Sequence, residues 1–194
     1  MIKGILFVGR KLAGKDTATN YITKALYPNI AFANYNFADA VKKIAMRELG
    51  LRHYMCYTQK GKTKYNTIYG MTNRAILEGI GNGLRSTISE DIWVKILENK
   101  LQHEPRFWII SDGRFPNEVE MVHKLGGISV LINNKTVIPT EEERASEPVS
   151  ESSVDLCKCT YVINNGGTLA KYHNAIQELC NKINLTEILA NKIQ

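Results

Sequence analysis

Short apolar runs alternate with amphipathic stretches along this chain, the pattern of strands laid between helices. Gly4-Ile5-Leu6-Phe7-Val8 is an unbroken apolar run and reads as a buried strand. Ala18, Tyr21, Ile22, Ala25 and Leu26 then recur at i, i+3, i+4, i+7 and i+8, which predicts one apolar helix face. Ala31–Phe37 alternates as a second strand. Ala38-Asp39 opens a helix striped by Val41, Ile44, Ala45 and Leu49 and ended by Gly50. Leu51 to Thr72 is polar, tyrosine-rich and without period, a loop or small insert. Helical pattern resumes at Asn73, interrupted by Gly79, Gly81 and Gly83, which are expected to serve close backbone approach or a break. Ser89 caps a further helix that buries Ile92, Trp93, Ile96, Leu97 and Leu101. Arg106–Asp112 predicts a central parallel strand. Pro116 starts a helix that stops at Gly126-Gly127, and Ile128–Ile132 follows as another buried strand. Asn133 to Asp155 has no period, which for so long a segment suggests an active-site lid. Tyr161-Val162-Ile163 is a last strand, and a closing helix buries Leu169, Tyr172, Ile176, Leu179, Cys180 and Ile183.

The first strand runs into Gly9-Arg10-Lys11-Leu12-Ala13-Gly14-Lys15-Asp16-Thr17. This is the spacing G-x-x-x-x-G-K of a phosphate-binding P-loop, with Asp16 where Ser or Thr is usual. Gly9 and Gly14 let successive N–H groups turn inward, and the helix dipole adds to the same place. Lys15 reaches terminal phosphates as a point charge. An ordinary βα turn with a solvated lysine is the plain alternative. The context the motif needs, strand before and amphipathic helix after, favours the phosphate loop. Asp112 ends the predicted central strand, where P-loop enzymes keep the carboxylate that positions Mg²⁺. Asp16 beside a triphosphate requires a cation between them, so it is expected to ligate Mg²⁺. Simple stabilisation of the helix dipole is its bland reading.

Length sets one domain over residues 1–194, with an insert at about 51–72 and a lid at about 134–155. Hydrophobic content of 44% and charged content of 23% are those of a soluble globule, with no apolar run long enough for a membrane span. The expectation is a cytoplasmic protein. Cys56, Cys157, Cys159 and Cys180 lack metal or disulfide-framework spacing, and four scattered histidines add no ligand pair. A net charge of +6 suits small polyanions or a nucleic-acid surface, but no nucleic-acid module accompanies it. Lys42 lies near the sheet's C-terminal edge, where ligands of open α/β sheets bind. Arg74 and Arg85 fall within roughly 20° of one helix face, able to grip a phosphate or merely exposed.

Taken in order, the motifs resemble those of phage-type deoxynucleoside monophosphate kinases. The matches are Gly14-Lys15-Asp16-Thr17, Phe37-Ala38-Asp39-Ala40-Val41-Lys42, Arg74–Gly81, Asp91–Lys95, Ser111–Glu118, Gly126-Gly127, Ser146-Glu147 and Val162–Gly166. Glu78 stands where the family usually has Gln, Asn82 where it has Thr, and Arg144 where it often has His. The resemblance implies a three-layer α/β/α P-loop NTPase fold with a mainly parallel sheet, a mobile lid and a monophosphate-binding insert. It implies transfer of the ATP γ-phosphoryl group to a dNMP, with Mg²⁺, and small-molecule nucleotides rather than nucleic acid or membrane as partners. Monomer and homodimer both stay open; a phage origin would make the host cytoplasm its location. Gly9, Arg10, Lys11, Ala13, Gly14, Lys15, Asp16, Thr17, Asn165 and Gly166 become ATP contacts. Asp39, Lys42, Arg74, Glu78, Arg85 and Arg114 become acceptor contacts. Lys15, Asp112, Arg114 and the lid's Arg144 become the catalytic set, and Asp16 and Asp112 the metal pair. A P-loop kinase for dephospho-coenzyme A or a nucleoside is the alternative, ahead of a non-catalytic nucleotide or nucleic-acid binder.

Overall fold

The computed structural model describes residues 2–134 and 149–191. Five parallel strands form one sheet in the order β2-β5-β1-β6-β7. They are β1 (Gly4–Val8), β2 (Ala33–Tyr35), β5 (Trp108–Gly113), β6 (Ile128–Asn133) and β7 (Tyr161–Asn164). Parallel strands require crossovers, and helices supply them: α1 (Lys15–Asn20), wound more widely through Tyr21–Leu26, and α7 (Pro116–Lys124). The chain leaves β1 towards β2 and β5, then crosses to β6 on its other side, so β1 ends at a topological switch point.

Two compact units emerge, Met1–Asn36 with Lys100–Gln194, and Phe37–Asn99. The first holds the whole sheet. Ile5, Leu6, Phe7 and Val8 have no exposed surface, which is why β1 reads as an unbroken apolar run. Trp108 fills the space above Gly4 and Gly127, where any Cβ would overlap its indole. The second unit holds α2 (Ala38–Glu48), α3 (His53–Tyr57), α4 (Gln59–Thr63), the hairpin β3 (Tyr65–Asn66) with β4 (Met71–Thr72), α5 (Asn73–Thr87) and most of α6 (Ile92–Leu101). Its core gathers Ala45, Leu51, Cys56 and Ile76.

Several elements depart from the sequence reading. Leu51–Thr72, read as a loop or small insert, carries α3, α4 and the hairpin. Asn73, almost fully buried, holds this region through its side-chain amide, which donates to the Gly61 carbonyl at 2.8 Å. The helix from Asn73 is not broken at Gly79, Gly81 or Gly83. Thr72 caps it by accepting from the Ala75 N–H, and Trp93 donates its indole N–H to the Gly81 carbonyl at 2.9 Å. Within the expected lid, β6 runs to Asn133, while α8 (Val149–Ser152) and a 3₁₀ turn at Ser153–Leu156 are helical. The closing helix is two, α9 (Leu169–Lys182) and α10 (Leu185–Ala190), parted by Asn184 in the left-handed region. Strands β2 and β5 are shorter or later than expected by about two residues, the usual scatter of element ends.

Candidate active site

The turn after β1 is built by close approach. At Gly9 a Cβ would sit 2.8 Å from the Ile132 carbonyl oxygen. Gly14 has φ 110°, which L side chains avoid, and a Cβ there would sit 2.5 Å from Asn165 Nδ2. Two side chains fasten this end of the loop. Asn165 Nδ2 donates to the Ala13 carbonyl at 2.8 Å, and the Tyr172 hydroxyl donates to the Gly14 carbonyl at 2.9 Å. With these carbonyls held outward, the N–H groups that open α1 are left facing the other way, as an anion site needs. No side chain caps α1, so none of its own residues occupies those donors.

Lys15 is buried within the loop, its ammonium donating to the carbonyls of Gly9 at 2.5 Å and Arg10 at 2.8 Å. Burial pulls its pKa from 10.5 to about 8, and the nearby Arg114 charge pulls the same way; Asp112, Asp16 and Glu118 oppose. Two cations crowding a desolvated loop make a place where an anion is stabilised.

Strand β5 delivers the acids. Leu6 pairs with Ile110 and Val8 with Gly113, so β5 carries one extra residue opposite β1, a bulge at Ser111-Asp112. Ser111 Oγ donates at 3.1 Å to Asp16 Oδ1 and lies 2.9 Å from Asn36 Oδ1. Arg114 follows, its guanidinium paired with Glu151. Its backbone N–H and that of Phe115 donate to Glu118 Oε2 at 2.7 and 3.1 Å, which caps α7 and fixes the turn. Among the described residues no group of three or more His, Cys, Asp or Glu could hold a metal ion.

The expected loop residues Gly9 through Thr17, with Asp112, Arg114 and Asn165, thus share the first unit's sheet edge; Gly166 follows Asn165. Arg144, with Ser146 and Glu147, lies outside the described residues. The remaining candidates belong to the second unit. Lys42 Nζ lies 3.3 Å from Asp39 Oδ1 and 4.3 Å from the centre of the Tyr57 ring. Tyr57 Oη also approaches Asp39 at 3.5 Å, and burial and Asp39 push its pKa up. Arg74 donates to Gln59 Oε1 at 3.1 Å, and Glu78 is exposed. Because α5 is continuous, Arg74 and Arg85 do share a face, but about three turns separate them by about 16 Å along the axis. One phosphate group held by both demands two fully extended side chains.

Sequence reasoning missed Tyr172, Glu118, Ser111 and Glu151 as parts of this site. Tyr172 falls on an apolar helix stripe and so reads as core. Glu151 acquires meaning only through its contacts with Lys11, 140 residues away in sequence, and with Arg114. The cysteines are free thiols, and His173 and His53 stack on Tyr21 and Tyr57.

A parallel sheet, a phosphate-type loop after its central strand and an acid on the neighbouring strand make up a P-loop α/β fold. Dephospho-CoA kinase from Campylobacter jejuni shares that fold at a TM-score of 0.53 and 17% identity, over 94% of this chain and 98% of that one. A shikimate kinase from Aquifex aeolicus aligns at a TM-score of 0.46 and 15% identity, over 95% of this chain and 98% of that one. Within that fold, the resemblance seen in the motifs recurs in a curated relative, the "Putative deoxynucleotide monophosphate kinase" of Acanthamoeba polyphaga mimivirus. It is 27% identical over 187 residues, spanning 87% of this chain and 91% of the relative. No family model matches the chain. Among the described residues no helix is long and apolar enough to cross a membrane.

Proposed function

We propose that this chain is an ATP-dependent deoxynucleoside monophosphate kinase. The reaction breaks the bond between the γ-phosphorus of ATP and its β,γ-bridging oxygen. It forms a new bond from an acceptor phosphate oxygen to that phosphorus, giving ADP and a dNDP. The acceptor is already an anion near neutral pH, so positioning and charge neutralisation carry the catalysis. The observation that carries the reading is the loop at Gly9–Thr17, with Lys15 buried inside it, the Arg114 charge nearby and no side chain capping α1. The motif order and the mimivirus relative's name support the dNMP acceptor.

In this reading Lys15 and the loop amides hold the β- and γ-phosphates, and Thr17 bonds the α-phosphate. Lys42, Arg74 and Arg85 bind the acceptor's phosphate, while Asp39 and Glu78 contact its nucleoside. Arg114 lies along the transfer path. The oxygen donors Asp16 and Asp112 fit Mg²⁺, which binds through one or two carboxylates and keeps waters and phosphates as its other ligands. Bound there, the ion would neutralise charge on the transferred phosphoryl group. Asp16, steadied by the Ser111 hydroxyl, is the closer match to the usual loop hydroxyl.

A coupled ADP-release assay tests this with dNMPs, NMPs, dephospho-coenzyme A and nucleosides as acceptors. Turnover is expected with one or more dNMPs, and Lys15→Met should lower kcat/KM at least a hundredfold, the scale of losing one preorganised charge contact. Turnover confined to dephospho-coenzyme A or a nucleoside would move the chain to another acceptor class. Absence of ADP formation, together with steeply salt-dependent oligonucleotide binding, would replace the enzyme by a nucleic-acid binder.

A further inference from the structure

The phosphate loop carries a carboxylate of the chain's own. Glu151 Oε2 accepts from the Lys11 backbone N–H at 2.7 Å, and its Oε1 pairs with Nη1 of Arg114. Four residues on, Asp155 Oδ2 takes Nη2 of Arg10 at 2.7 Å. Residues four apart in a helical segment share a face, so α8 and the turn after it offer two anions to one loop. The Glu151 side chain is 15% exposed and that of Arg114 25%, whereas Asp155 is 67% exposed. Glu151 is therefore the stronger of the two contacts, because solvent screens it less.

We infer that Glu151 is an internal competitor for the phosphate seat, occupying the Lys11 amide and the Arg114 guanidinium that a nucleotide's phosphate also needs. The inference rests on reading Gly9–Thr17 as a phosphate loop. A carboxylate offers two oxygens to an amide and a guanidinium much as two phosphate oxygens do, and short charge-assisted bonds of this kind are strong. Nucleotide binding must break both Glu151 contacts. Apparent affinity is then reduced in proportion to the fraction of molecules in which Glu151 has let go. Asp155 acts in the same direction more weakly, by neutralising Arg10. Glu151 thus sets how much nucleotide the enzyme requires.

The experiment is isothermal titration of the full chain with Mg-ATP and, separately, with inorganic tripolyphosphate, for wild type, Glu151→Gln and Asp155→Asn. Circular dichroism checks that each variant is folded, and the Lys11 amide shift in a ¹⁵N spectrum reports the lost contact directly. If Glu151 is seated in as few as seven to nine of ten molecules, Glu151→Gln should bind both probes about threefold to tenfold more tightly. Asp155→Asn should gain less, and the Lys11 amide should move in Glu151→Gln alone. Unchanged or weaker binding of both probes by Glu151→Gln, with wild type binding ATP, overturns the inference and leaves the kinase reading intact. Weaker binding would mean that Glu151 instead holds Arg114 in place for the nucleotide. Should Glu151→Gln be unfolded, Asp155→Asn decides by the same criterion. Failure of every protein to bind either probe removes the phosphate loop itself, and the inference with it.

Discussion

Single carboxylates decide a good deal in this molecule, and Glu104 is the clearest case. Tyr35 donates to it at 2.6 Å from β2, and Arg106 grips it through Nε at 2.7 Å and Nη2 at 2.8 Å. The Arg106 hydrogen bonds hold the Glu104 carboxyl down at about 2 from an ordinary 4.5. A depressed folded-state pKa stabilises above the unfolded value, and the gain is lost as pH falls through 4.5 towards about 2. Since the Arg106 side chain is 52% exposed, screening trims the effect, and Glu104→Gln should cost about 1–2 kcal/mol at pH 7. Urea denaturation at pH 7 and at pH 3 checks this: the gap between variant and wild type should narrow at the lower pH. A gap of equal size at both would place the cost in packing. Asp16 poses a functional question at the same scale. Replacing it by Ser should lower the apparent Mg²⁺ affinity severalfold when Mg²⁺ is titrated at fixed ATP. An unchanged Mg²⁺ affinity, with stability lower by about 0.3–1 kcal/mol, would leave Asp16 a helix-dipole residue only.

Elements show where reading a sequence succeeds and where it stops. Strand β1, the loop and the apolar stripes of α1, α2 and α9 were legible, because each follows from a local period or spacing. Asp112 was legible too, as an acid ending an apolar run. The bulge at Ser111-Asp112 was not, since it exists only in the register between β5 and β1. Short α3 and α4, and the hairpin between Tyr65 and Thr72, were hidden for a similar reason: five- and two-residue elements carry no measurable period. Their stability comes from contacts such as Asn73 to Gly61. Helix α9 also holds a function its stripe conceals, for Tyr172 secures the loop through Gly14. Tyr172→Phe removes one hydrogen bond, at a cost of about 1 kcal/mol in stability, while Gly14 O keeps the Ala18 N–H. If Tyr172 also orients the loop, KM for ATP should rise severalfold with KM for the monophosphate unchanged. Tripolyphosphate affinity should fall in parallel, since that probe has no base or sugar and reports on the loop alone. Lower stability with unaltered ATP and tripolyphosphate binding would confine Tyr172 to packing.

At the scale of the whole chain, the two units differ in how much apolar surface each encloses. The sheet unit centres on a cluster that includes Ile5, Phe7, Ile109, Val130, Ile132 and Ile176, each almost fully buried. The unit at residues 37–99 gathers Ala45, Leu51, Cys56 and Ile76 in one cluster, edged by partly buried Met46, Leu49, Met55, Leu77 and Ile80, and Phe37, Val41, Trp93, Val94 and Leu97 are buried as well. Its hairpin leaves Tyr65 59% and Ile68 82% exposed, so apolar side chains there contribute little to holding it. Apolar burial is the main favourable term in folding, and regions with less of it open at lower free energy. The glycines at 79, 81 and 83 act in the same direction, each costing about 1 kcal/mol against alanine in a helix interior. Native-state hydrogen exchange should therefore show the amides of α3, α4 and α5 exchanging through sub-global openings at low denaturant. Those of β1, β5 and β6 should exchange only with global unfolding. Ile76→Ala should widen that difference, because truncating a buried core side chain costs about 2–5 kcal/mol and the loss falls on residues 37–99. Equal protection of α5 and β1 in the wild type, together with uniform loss in Ile76→Ala, would show instead one cooperative core. In that case the unit proposed to bind the acceptor could not loosen without the sheet.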